Sequence, residues 1–373
     1  MDPFSVVIAG GGVAGIEGLL RLRRLAGDSV KITLLAPNEE FGFRALSVKE
    51  PFAMGGPARY PVRHVVRDTG ADWKRDTLGW IDVDGQIVHS GEGEQLQFDA
   101  LLLAIGGRME PAFDHVTTFH DQDADALVTG IVQDVEGGYS KRIAFLAPDG
   151  PAWLLPIYEL ALMTAERARS SGIDDAELVL VTPEDAPLAR FGGKASEAVS
   201  HELSEAGIAV YTASSAEVPK KGKLILAPER QELDVDRVVA MPRLCGPSIR
   251  GLDGDQGFIP IDDHCRVTGT GGRVFAAGDA TSFPIKHGGL SAEQADTAAA
   301  GIAALAGVEV EAPPFQPVIN GKLLTGGRPL YLRARFANGE PLESEVSREP
   351  LWDSGAKVVA EELTTYLENA ARS

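Results

Sequence analysis

Apolar and polar positions along this chain switch between two periods, and each switch marks a strand followed by a helix. Val6, Val7 and Ile8 form an apolar run of buried-strand length, and Leu19, Leu22 and Leu25 then recur at helical spacing. The turn between them reads GGGVAG, residues 10 to 15. VKITLLAP at 30 to 37 predicts a second strand, and FDALLLAIGG at 98 to 107 a third that ends in another glycine turn. The theme returns in KRIAFLAPDGPAWLLPIYELALMTAERARSSG, residues 141 to 172, where Pro156 suits a first helical turn. AELVLVTPE at 176 to 184 supplies the next strand. A last switch lies in GGRVFAAGDATSFPIKHGGLSAEQADTAAAGIAALAG, residues 271 to 307: an apolar strand meets Gly278 and Asp279, and a helix rich in small residues starts near Leu290. Strands alternating with helices predict an α/β fold.

The 373 residues suffice for two or three domains. With 44% hydrophobic and 24% charged residues, the composition is that of an ordinary globular protein. A net charge of −19 repels nucleic acid and anionic membrane surfaces, so neither is expected as a partner. The cationic clusters RLRRL (21 to 25) and KRDT (74 to 77) read as solvated faces. Neither a signal peptide nor an apolar run of about 18 residues that could span a bilayer is expected. Cys245 and Cys265 make no disulfide framework and suit a reducing cytoplasm. His115 with His120, or His264 beside Cys265, lack metal-site spacing and companions, so no metal is expected.

The chemistry concentrates in the glycine turns. In GGGVAG, Gly10 permits a tight turn, Gly12 lets a pyrophosphate approach the backbone, and Gly15 lets the helix pack closely. The helix N-terminus then presents free N–H groups to the anion. An acidic residue would be expected at the end of the second strand to hold ribose hydroxyls. Ala36 and Pro37 stand there, followed by Asn38, Glu39 and Glu40, which leaves the ribose to backbone groups or Asn38. Asp279, beside Gly278 at a strand end, can accept hydrogen bonds from polyol hydroxyls, and the following helix offers its N-terminus to an electron-rich ring edge.

GGGVAG, LLLAIGG and RVFAAGDAT, in this order, resemble the two-dinucleotide-domain flavoproteins of the glutathione reductase superfamily. EEFGFRALS (39 to 47), LLPIYELAL (154 to 162) and PIKHGGLSAEQA (284 to 295) look most like the branch of sulfide:quinone oxidoreductases and type II NADH dehydrogenases. The resemblance implies bound FAD and an α/β fold of two Rossmann-like domains, the second inserted in the first. The FAD domain would comprise residues 1–110 and 241–310, the second Rossmann-like domain residues 111–240, and a C-terminal region residues 311–373.

It also implies roles for particular residues. Gly10, Gly12, Ala14 and Gly15 would surround the FAD pyrophosphate, and Asp279 would bind the ribityl chain. Leu78 would contact the adenine through its backbone, and Ala104 and Gly106 would line the cofactor. Arg44 would lie near the pyrophosphate or the isoalloxazine. Lys286, His287 and Gly288 would sit at the pyrimidine end of the flavin, with Lys286 and His287 the candidates for a catalytic part beside the ring.

The departures narrow the chemistry. No cysteine precedes Cys245, so the redox cysteine pair of the disulfide reductases is missing. Ala152, Trp153 and Leu154 stand where sulfide:quinone oxidoreductases carry a cysteine near the flavin. The second turn, APDGPAWLLP at 147 to 156, has one glycine and should not cradle a pyrophosphate. The expectation is an FAD-dependent oxidoreductase passing electrons between a small donor and a quinone-like or other small acceptor, without a redox disulfide. The alternatives are a noncatalytic redox sensor or carrier for a protein partner, and an NAD(P)H dehydrogenase with a remodelled nicotinamide site. A helix predicted from about residue 355 is acidic, and its apolar positions suit packing against the body or a second subunit of a homodimer.

Overall fold

The protein is described by a computed structural model covering residues 3–120, 124–252, 254–337 and 340–372. The first apolar run forms strand β1 (Phe4–Ala9), and the helical pattern after the glycines forms α1 (Val13–Ala26). Beside β1 run β2 (Val30–Leu35), β3 (Asp72–Lys74) and β4 (Ala100–Leu103). A second unit follows, with strands β5 (Thr117–Thr118), β6 (Arg142–Leu146), β7 (Glu177–Val181), β8 (Ile208–Tyr211) and β9 (Arg237–Ala240). Its helix α2 (Leu155–Ser170) has Pro156 in the first turn, where the missing N–H costs nothing. The chain then supplies β10 (Val274–Ala276) and helix α3 (Gly288–Leu305).

Strand pairing shows that β10 belongs with the first strands. The first sheet runs β10-β4-β1-β2-β3 and the second β5-β9-β6-β7-β8, every pair parallel. The first sheet therefore closes only after the second unit has been made. Parallel strands must be covered on both faces, and the alternation of β1 assigns them. Val6 and Ile8 join α1 and α3 in one core, while Val7 and Ala9 face a second core with Ile81 and Val88 from an antiparallel three-stranded sheet over residues 78–97.

The C-terminal region adds three antiparallel strands, Val318–Leu323, Leu330–Ala337 and Glu340–Ser347, and the helix α4 (Glu361–Arg372). The helix starts later than the pattern from 355 predicts, because residues 357–360 are held outside helical geometry. Lys357 is drawn into an ion pair with Glu159 on α2, and the N-terminus of α4 is capped by a residue of α1. Glu17, fully buried, accepts the Glu362 N–H at 2.9 Å and the Leu363 N–H at 2.7 Å. A side chain distant in sequence thus supplies the cap that the chain before α4 lacks. Leu363 and Leu367 pack in the core beneath α1.

Candidate functional site

Three loops leave adjacent parallel strands of the first sheet at the same edge: those after β1, β4 and β10. They are stitched together by backbone bonds from Ala104 N to Ala9 O at 2.7 Å and from Ala277 N to Leu103 O at 2.9 Å. In open α/β sheets, ligands bind at this carboxyl edge.

The turn after β1 has the geometry of an anion cradle. Gly10 adopts φ +114°, and a Cβ there would lie 2.1 Å from the Ala104 carbonyl oxygen. A Cβ on Gly15 would lie 1.9 Å from the carbonyl oxygen of Gly10, so this glycine lets α1 press on the turn itself rather than on the strand. Gly12 opens to space with no atom within 4 Å of a Cβ. It is also the N-cap of α1, with no side-chain cap and no acidic residue in the first turn. The leading N–H groups of α1 are left for a ligand, and the positive end of the helix dipole stands bare. Ala14 is close to Gly278, whose Cβ would approach within 3.5 Å.

The segment after β10 meets this cradle. Gly278 adopts φ +82°, and its N–H donates to Gln294 Oε1 at 2.7 Å, which ties the turn to α3. Burial pushes the half-buried Asp279 carboxyl upward in pKa, and the charges of Lys286 and Arg44 pull it back. The Lys286 ammonium is itself buried. It donates to the carbonyls of Asp279, at 3.3 Å, and of Thr281, and lies 4.0 Å from the Phe258 ring centroid. Burial lowers its pKa to about 8. This cation pins the turn that carries Asp279.

His287 is the N-cap of α3, 6% exposed, and its Nδ1 has no hydrogen-bond partner. Burial, with Lys357 nearby, brings its pKa down to about 3. It is neutral at working pH, so it adds no charge of its own beside Lys286 and the positive end of the α3 dipole.

The remaining residues of the sequence reading fall around this edge. Ala36 is buried against Gly11, and its carbonyl accepts the Trp73 indole N–H at 3.1 Å. Asn38 is exposed, and the nearby Glu39 is ion-paired with Arg75. Leu78 packs against the core on the far face of β1, and Gly106 takes φ +70° after Ala104. Asp262, Asp263 and His264 approach one another, but Asp262 Oδ1 accepts the N–H groups of His264 and Arg266, as in a local turn. Both thiols are free, and burial raises the pKa of each, so neither is poised as a thiolate.

Sequence reasoning missed a cluster where the two units meet. Glu159 on α2 is fully buried and ion-paired with Lys357, 198 positions away, and Leu324 N–H donates to the same carboxylate at 2.9 Å. Burial raises the Glu159 pKa and lowers that of Lys357, each offset by the other's charge. Trp153 lies with its ring centroid 4.4 Å from His287 and 5.6 Å from Phe191. Glu159 stands inside LLPIYELAL, but no local pattern reveals a partner so far along the chain.

No protein-family model matches the chain. Solved structures do. The sulfide:quinone oxidoreductase of the hyperthermophilic bacterium Aquifex aeolicus superposes with a TM-score of 0.80 at 18% identity, over 92% of this chain and 87% of that one. A ferredoxin reductase from Rhodopseudomonas palustris gives 0.68 at 17% identity, over 89% and 83%. An NAD-dependent persulfide reductase from A. fulgidus gives 0.62 at 19% identity, over 90% and 64%. The sheet order, the late return of β10 and these superpositions show a fold of two Rossmann-like units shared with these three structures.

Proposed function

We propose that the chain is an FAD-dependent oxidoreductase that passes electrons between a small donor and a quinone-like or other small acceptor, without a redox disulfide. The observation that carries this reading is the convergence, on one sheet edge, of an open glycine cradle with an uncapped helix and a turn bearing Asp279 beside a second helix N-terminus. These features suit the separate parts of one long dinucleotide: pyrophosphate on α1, polyol on Asp279, ring edge on α3. The residues therefore fit FAD, which when bound supplies hydride and electron transfer at its ring.

The chain's own residues bind and tune. Gly10 and Gly15 keep the turn and the start of α1 tight, which would let a pyrophosphate approach the backbone closely. Lys286 holds the carbonyls around Asp279 in place, and neutral His287 would leave the dipole of α3 to favour negative charge on a ring bound there. Burial raises the pKa of both thiols, which supports a reaction that needs no cysteine nucleophile. The buried Lys357, ion-paired with Glu159, lies near enough to His287 to help keep that imidazole neutral.

The test is to purify the protein, release any chromophore by denaturation and identify it, then expose the holoprotein anaerobically to NADH, NADPH, sulfide and quinols. The reading predicts one FAD per chain and turnover with an added acceptor. A colourless protein that takes up no FAD on titration refutes it, and slow reduction without turnover moves it to the redox-sensor reading.

A further inference from the structure

We propose that Trp153 is a specificity-determining residue that fills the cleft between the two units and keeps a nicotinamide from reaching the site at the first sheet edge. The inference rests on the FAD reading and deepens it, by assigning the exclusion of one class of donor to a single side chain.

The two units place their first turns equivalently. Gly10 N donates to Leu35 O at 2.8 Å, joining the residue after the first strand to the end of the second, and Ala147 N donates to Val181 O at 2.9 Å in the same way. From that shared bond the paths diverge. α1 begins three residues later, at Val13, whereas α2 begins eight residues later, at Leu155. The longer loop carries Trp153 away from its own sheet to the N-cap of α3 in the other unit. There its indole faces His287, and Phe191 backs it from the second unit.

A dinucleotide held on the second sheet would have to extend its reactive ring across this gap. The indole, itself flat and aromatic, already lies there, half-buried against the core of the second unit. The phosphate end adds a smaller penalty, one that weakens a dinucleotide's grip without blocking its ring. Asp149, two residues beyond the shared bond where the first turn has Gly12, lines a cavity of about 390 Å³ together with Pro183, Ser214 and Pro228. None of the residues lining that cavity is cationic. A pyrophosphate there would meet a carboxylate and no balancing charge.

The experiment compares wild type with Trp153→Ala, Trp153→Leu and Trp153→Phe as holoproteins. Flavin absorbance is recorded first, so a colourless protein counts against the FAD reading and not against the role of Trp153. Anaerobic flavin reduction by NADH, in which the nicotinamide gives up a hydride and leaves as NAD⁺, is then timed, and NAD⁺ binding is measured by calorimetry. Opening the cleft predicts that the second-order rate constant for NADH rises about tenfold or more in the Ala and Leu variants and little in the Phe variant. Calorimetry is expected to detect NAD⁺ binding in the Ala and Leu variants that wild type lacks. Unchanged NADH rates and no NAD⁺ binding in yellow Ala or Leu variants overturn the proposal. So does an equal rise with a small donor such as dithionite, which would show a general opening. The Leu variant keeps apolar packing and decides the matter if the Ala variant fails to fold.

Discussion

The turns after β1 and β6 start from the same hydrogen bond and end with different surfaces. The first spends three residues, all glycine, and delivers an uncapped helix to an open edge. The second spends eight, places Asp149 in its opening, and throws Trp153 across to the neighbouring unit. A strand–turn–helix unit is therefore not by itself a dinucleotide site. What decides is how closely backbone can approach the anion, and whether a side chain stands in the way.

The comparison breaks most severely at its tightest point. Gly15→Ala drives a Cβ into the Gly10 carbonyl, and overlap with backbone costs about 3 kcal/mol, near the top of the range for forced overpacking. FAD affinity should fall about a hundredfold, read as flavin content after gel filtration. The control in the second turn is Gly150→Ala. Gly150 has φ +93° but open space around it, so the change costs about 1–2 kcal/mol of stability from backbone strain and leaves flavin content intact. Equal flavin loss in both variants would mean the turns do not differ in role.

Asp279→Ala removes an acceptor for polyol hydroxyls and should weaken FAD retention by about 1–3 kcal/mol, measured by titrating apoprotein. A pH dependence sharpens the contrast further. In the first unit, burial raises Glu17 to about 7 and Glu293 and Asp296 to about 8. The folded protein thus holds protons that the unfolded chain releases near pH 4.5 at the two glutamates and near 3.8 at Asp296, so the stability these groups contribute is present at acidic pH and lost as pH rises toward 8. Thermal midpoints should fall between pH 6 and pH 9, and Asp296→Asn should flatten the slope. A midpoint that rises over that interval contradicts the assignment. The smallest effect is expected from Cys245→Ser with Cys265→Ser, where flavin reduction by the preferred donor should stay within about twofold, since neither thiol is activated.

Much of this architecture was legible in the sequence. GGGVAG marked both a sharp turn and a bare helix start, because only glycines fit at Gly10 and Gly15. RVFAAGDAT marked the strand β10 and its Gly–Asp end locally, while its return to the first sheet was implied by the resemblance. What stayed hidden is what depends on pairing across the chain: the cap that Glu17 provides for α4, the Glu159–Lys357 ion pair, and the reach of Trp153. The resemblance put Lys286 and His287 beside a ring as candidates for a catalytic part. In the structure Lys286 donates to the carbonyls of its own turn, and burial lowers the pKa of His287, two features that no local pattern carries.

The central claim is that one turn grips a dinucleotide and the other refuses it. Stopped-flow reduction of the wild-type holoprotein by NADH, from micromolar to millimolar concentration, tests it most directly. The account predicts slow reduction whose rate climbs without saturating at millimolar NADH. Reduction that saturates in the micromolar range and outpaces other donors would contradict it, and would make the second unit a working nicotinamide site.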